Sequence, residues 1–262
     1  MEFLSIAAIL GYVIVFALLA SRMLHPDGPD RTKATIAGAV AVALHGIVLA
    51  DAIFLQQGQN FSLTNTSSLM VWVIALAITT VLPRIKVIVV APAVYCLAVL
   101  SVVALWWLPP EHITNFEAKP AVWSHVIISL MAYATLMLAA LYALQLNGIN
   151  KRLKDRQLML NSPMPPLLTV EKQLYHFIWV GFMLLTVGLL TGWIFLDNFL
   201  GDGQGHKATI SMIAWAMYAG MLLQHHTRGV RVRTAVAYSL SGAALLTLAY
   251  FGSRIVKELI LT

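Results

Sequence analysis

Eight long, nearly uncharged apolar stretches divide this chain, at about 3–22, 34–55, 67–83, 87–108, 121–146, 172–196, 208–226 and 234–256. Each reaches the roughly 17–25 residues that a helix needs to cross a hydrocarbon core. Backbone groups in lipid must pair within their own segment, so stretches of this length can only be helices. A membrane β-barrel would instead show strands of roughly ten residues with alternating polarity. No stretch here alternates. The expected fold class is therefore all-α: a polytopic membrane helix bundle with about eight transmembrane helices, forming one integral membrane domain over 1–262. Apolar residues make up 60% of the chain and charged residues 11%. Eight spans use most of the length, so no separate soluble domain fits, and the connecting loops are short.

Sidedness follows from the basic residues, which collect where a bilayer protein faces the cytoplasm. Arg22, Arg31 and Lys33 follow the first stretch, and Arg84 and Lys86 fill the link between the third and fourth. Lys151, Arg152, Lys154, Arg156 and Lys172 lie between the fifth and sixth, and Arg228, Arg231 and Arg233 follow the seventh. These are 13 of the 17 basic residues; Lys119, Lys207, Arg254 and Lys257 fall on the other side. Every alternate link agrees, which puts both termini on the periplasmic or outer side. The net charge of +6 is thus a topology signal and not a nucleic-acid surface. The first stretch lacks the basic n-region of a cleavable signal peptide. Cys96 is the only cysteine, which excludes disulfides, thiolate metal clusters and covalent haem attachment through C-x-x-C-H.

In a bilayer, chemistry is sought among polar side chains deep in a span. His45 is near the middle of the second stretch, about eleven residues or roughly 16 Å from its cytoplasmic end. Asp51, six residues on, points to a different face and does not pair with it, so His45 must find partners on other helices. His125 lies just inside the outer end of the fifth stretch, ahead of a small-residue stripe through Ser129, Ala132 and Ala139. His176 lies near the cytoplasmic end of the sixth, and His225 and His226 close the seventh. Glycines 181, 188 and 192 line the sixth stretch with Thr186 and Thr191, a face that admits close approach by a neighbouring helix or a flat ligand. Trp106, Trp107, Trp123 and Trp193 sit near outer ends, where an aromatic belt accounts for them. A lone buried histidine is often only a hydrogen-bonding group, and His25, His112, His206 and His226 read as loop or interfacial residues. Four histidines on four helices are a different matter, because neutral imidazole is a common axial ligand of iron porphyrin.

The stretch from Leu174 to Phe182 (L-Y-H-F-I-W-V-G-F), running on into Leu184–Gly192 (L-L-T-V-G-L-L-T-G), resembles the cytochrome c assembly (CcsA/HemX-like) membrane protein family. Lys207–Trp215 (K-A-T-I-S-M-I-A-W) is similar to the start of that family's next helix, and Tyr218 and the basic turn Thr227–Arg233 follow in the same order. His125 with Ser129, Tyr133 and Ala134, and Tyr250-Phe251-Gly252, also resemble family helices. The match covers about 120–256. It implies haem, held by two histidines within the membrane and two at the outer surface beside a tryptophan-rich loop. His125 takes the place of the first outer histidine. His225 falls near the second membrane histidine, about two residues beyond the usual spacing from Trp215. His45 is a positional candidate for the first membrane histidine, and His176 stands where the family commonly has arginine. The outer loop, 197–206, contains no tryptophan, and the chain ends at Thr262 without a counterpart of the last outer histidine.

The expected function is haem binding or haem handling within the bilayer, without catalytic turnover, with His45, His125, His176 and His225 as candidate iron ligands that need not share one site. No metalloprotease, P-loop or nucleophile-elbow string is present. A cofactor-free accessory or regulatory subunit is the first alternative. Lys151–Arg156 and Pro163-Met164-Pro165-Pro166 would offer a cytoplasmic contact to a protein partner, or serve only as a basic anchor and stiff linker. A small-molecule transporter is the second alternative, disfavoured by the scarcity of buried acids and the lack of a visible inverted repeat.

Overall fold

A computed structural model describes residues 2–23, 25, 28–54, 59–84, 90–107, 113–114, 120–155, 165–195 and 205–255. Eight helices carry the fold: α1 (Glu2–Ala20), α2 (Arg31–Phe54), α3 (Leu63–Val81), α4 (Val90–Trp107), α5 (Pro120–Lys154), α6 (Leu167–Phe195), α7 (Gly205–Arg228) and α8 (Val232–Ile255). Among the described residues, seven are long and apolar enough to cross a membrane. The exception is α7, whose polar ends (Gly205–Lys207 and Gln224–Arg228) leave a central apolar stretch at the short limit for a span. Two short strands, β1 (Gln59–Asn60) and β2 (Ile113–Thr114), pair antiparallel, with Gln59 opposite Thr114. Hydropathy does not register a pairing this short.

Helix ends follow local chemistry. The α5 start places Pro120 at the first helical position, where its missing N–H costs nothing. Ser62 caps α3 by accepting the Asn65 N–H at 3.2 Å. Asp30 precedes α2 and accepts the Lys33 backbone N–H at 3.1 Å, with Lys33 Nζ 3.2 Å away. The backbone bond and the ammonium hold the Asp30 carboxyl below the usual carboxylate range. Gly229, just past α7, adopts φ +71° and donates its N–H to His225 O at 3.3 Å. That left-handed closing residue lets the chain reverse into α8.

The chain divides into two compact units: residues 1–115 with 152–166, and residues 116–151 with 167–262. In the first, α1 packs on α2 and α4, and α3 on α2 and α4, closing a four-helix ring. Small residues permit the close crossings. A Cβ on Gly11 would stand 2.9 Å from Ala41 Cβ, and one on Gly38 would stand 3.0 Å from the Tyr95 hydroxyl. In the second unit α6 packs on α7 and α7 on α8. α5 meets α6 through Leu136 and Ser129, and α8 through a 2.9 Å bond between the Tyr133 and Thr247 hydroxyls. Large apolar side chains such as Leu10, Ile47, Leu100, Trp179, Leu190 and Leu248 are exposed, as a lipid-facing surface requires.

Candidate functional site

The glycine face of α6 is occupied by a helix. A Cβ on Gly181 would lie 2.6 Å from Leu136 Cγ, and one on Gly188 would lie 3.3 Å from Ser129 Oγ, both on α5. Of the two occupants the sequence allowed for that face, a neighbouring helix or a flat ligand, the neighbouring helix is what the fold places there. Ala132 and Ala139, on the small-residue stripe of α5, are buried. The adjacent face of α6 meets α7, where Trp215 Nε1 donates to Thr186 Oγ1 at 2.8 Å and the Trp215 ring stacks on Phe182.

His125 reaches α6 at the end of the α5–α6 seam where α5 begins. Its Nδ1 lies 3.0 Å from Gly188 O and 3.2 Å from Thr191 Oγ1. A carbonyl can only accept, so the proton is on Nδ1 and the lone pair of the neutral ring is on Nε2. Thr191 Oγ1 in turn donates to carbonyls of its own helix. Metal-binding histidines are commonly held this way, with the non-ligating N–H on a backbone carbonyl.

His225 sits at the opposite end of the same unit, in the last turn of α7. Its ring stacks on Tyr175 of α6, with centroids 3.5 Å apart and planes at 16°. Its Nδ1 and the Tyr175 hydroxyl are both buried and have no hydrogen-bond partner within the protein. Buried polar atoms are rarely left so, because desolvation without a bond costs about 1–3 kcal/mol each. Thirteen residues of α6 separate Tyr175 from Gly188, roughly 20 Å of helix, so His125 and His225 do not share one site. His176 is exposed, its ring edge-on to Phe177 at 6.1 Å.

In the first unit His45 is fully buried. Its Nδ1 lies 3.0 Å from the Tyr12 hydroxyl of α1 and its Nε2 lies 2.9 Å from Ser68 Oγ of α3. Tyr12 packs beside Tyr95, whose hydroxyl bonds Thr79 Oγ1 at 2.9 Å. Both ring nitrogens of His45 are taken in this arrangement, and an iron ligand needs one free. Sequence reasoning named His45 but missed Tyr12 and Ser68. A phenol alone in the first apolar stretch was the available signal for Tyr12. Tyr175 was also missed, since an aromatic in a bilayer helix is ordinarily packing.

Of the four candidate histidines, His125 thus has its Nδ1 proton committed to a carbonyl, and His225 has a buried Nδ1 without a partner within the protein. Among the described residues, no three His, Cys, Asp or Glu side chains gather as a bare metal ion would need. The tryptophan-free loop at 197–204, together with His112, Lys86, Lys119, Arg156 and Pro163-Met164, lies outside the described residues.

Comparison with known proteins extends the likeness beyond 120–256. The model of the family described as cytochrome c assembly protein matches residues 34–261. Inner membrane protein YpjD of Escherichia coli K12 is 38% identical over 262 residues, covering 99% of this chain and 100% of its own length. An uncharacterized 28.8 kDa protein of Azospirillum brasilense is 32% identical over 54% of each chain. Cytochrome c biogenesis protein CcsA of Prochlorococcus marinus NATL1A is 32% identical over 106 residues, 38% of this chain and 34% of that one. No solved structure matches the chain. A family match from α2 to the last helix, a full-length inner-membrane relative and a fold made of apolar helices lead to one conclusion: the chain belongs to the cytochrome c assembly protein family, as a multi-pass protein of the bacterial inner membrane.

Proposed function

We propose that this protein binds haem within the membrane and handles it without catalytic turnover. The observation that carries the reading is His125. Its Nδ1–H is committed to Gly188 O, which leaves Nε2 with its lone pair available. His225 supports it with a buried Nδ1 that has no partner within the protein. Haem, when bound, supplies an iron whose ligation and redox poise are set by such imidazoles. The residues' part is to bind and orient: Gly188 and Thr191 fix the His125 tautomer, and the apolar helices keep water away. The relatives named for cytochrome c biogenesis agree with a role in supplying haem, and the absence of tryptophan from 197–206 argues against presenting it to an apocytochrome in the family's usual manner.

Haemin titration of the purified protein tests this. The wild type develops a Soret band, and His125→Ala weakens binding at least tenfold while elution and helix content stay unchanged. A wild type that takes up no haemin overturns the reading.

A second reading, a cofactor-free accessory subunit, is favoured by the complete hydrogen bonding of His45. It expects specific crosslinks from the segment at 151–156 to a partner protein and no bound colour.

A further inference from the structure

The chain reverses from α7 into α8 over residues Gly229–Arg231. Backbone bonds fix both ends of this turn: Gly229 N–H donates to His225 O at 3.3 Å, and Arg231 O accepts from Thr234 and Ala235 N–H at 2.9 and 3.0 Å. Arg228, Arg231 and Arg233 stand on it, all exposed. Among the described residues none of the three is ion-paired. Neither α7 nor α8 carries a carboxylate, and the only one described in the second unit is Glu171 on α6. Like charges held this close repel one another, and the helices that bear them offer no anion in return.

Membrane orientation alone does not explain the pattern. Lysine serves that purpose as well as arginine, yet the α7–α8 turn uses arginine only. A guanidinium fork bonds two oxygens of one phosphate, whereas an ammonium acts as a point charge. The surface beside the turn is also divided as an anionic amphiphile is. Leu223, five residues before Arg228, is 66% exposed, and Ala237, one helical turn after Arg233, is exposed as well. The apolar part of α7 is at the short limit for a span, which brings the arginines at its end close to the level of lipid headgroups.

We propose that the α7–α8 turn is a docking surface for an anionic phospholipid. Arg228, Arg231 and Arg233 take the phosphate oxygens of its headgroup, and its acyl chains lie along the exposed apolar side chains of α7 and α8. The inference is independent of the haem reading.

The test uses the full chain, delipidated in a neutral detergent, and measures retention of added phosphatidylglycerol against phosphatidylcholine by native mass spectrometry, with thermal unfolding in parallel. The wild type retains and is stabilised by phosphatidylglycerol in preference to phosphatidylcholine. Replacing Arg228, Arg231 and Arg233 together by glutamine lowers retention of phosphatidylglycerol at least about tenfold, as expected for three charges at a lipid surface. Replacing all three by lysine keeps the charge and the membrane orientation and still weakens retention, which carries the comparison should the glutamine variant fail to assemble. Lys151→Gln with Lys154→Gln leaves retention as in the wild type. Equal retention of the two lipids by the wild type overturns the proposal. An all-lysine variant that binds like the wild type overturns recognition by the guanidinium forks, and an equal loss in the Lys151/Lys154 variant overturns the turn as the site. Stabilisation by inorganic phosphate equal to that by phosphatidylglycerol overturns a lipid as the occupant.

Discussion

At the scale of single residues, the three buried or half-buried histidines differ in what their ring nitrogens meet. His45 has a hydroxyl on each side, His125 a carbonyl and a hydroxyl on one nitrogen, and His225 nothing at Nδ1. The first arrangement is a structural knot between three helices. His45→Ala should therefore lower stability by about 1–3 kcal/mol, since it strands Tyr12 and Ser68 and leaves a cavity; Ser68→Ala should cost less, because Tyr12 still holds the ring. Equal melting of His45→Ala and wild type in detergent would contradict this. The sequence exposed which histidines are deep but not what they touch. Tyr12 and Ser68 lie 33 and 23 residues from His45, and their meeting depends on helix rotation, which apolarity does not encode. The stack of His225 on Tyr175 was hidden for the same reason, since it forms between two helices.

At the scale of elements, hydropathy located the helices and misjudged some lengths. The stretch expected at 121–146 belongs to α5, which runs to Lys154, and the one at 172–196 to α6, which begins at Leu167. Lys151, Arg152, Lys154 and Lys172, expected in a link, are helical. Apolarity reports where lipid is, and a helix can continue into water. The glycines, in contrast, carried their meaning in the sequence. Gly181→Val should destabilise the α5–α6 seam by about 1–3 kcal/mol, because the Leu136 side chain and the α5 backbone leave no room. Gly220→Ala, in open space on α7, should be neutral or stabilising by up to about 1 kcal/mol. Thermal or denaturant unfolding of the two variants in parallel checks the contrast, and similar effects at both glycines would refute the packing account.

At the scale of the whole molecule, the first unit closes a ring of four helices, and the family relationship runs from α2 through α8. We infer from the 13-to-4 division of basic residues that the chain ends and the outer end of α5 face the periplasm. Alkaline phosphatase fused after Gly252 should be active and green fluorescent protein at the same site dark; the reverse pattern would invert the topology and place His125 on the cytoplasmic side. The central claim is that the protein carries haem. Its most direct test is the haem-to-protein ratio, by pyridine haemochrome, of full-length protein purified from its own membrane under haem-replete growth. Substantial stoichiometric haem in the wild type, lost when His125 and His225 are both replaced by alanine, is the predicted result. A colourless wild-type protein, well folded and still without haem after haemin is added, would contradict it.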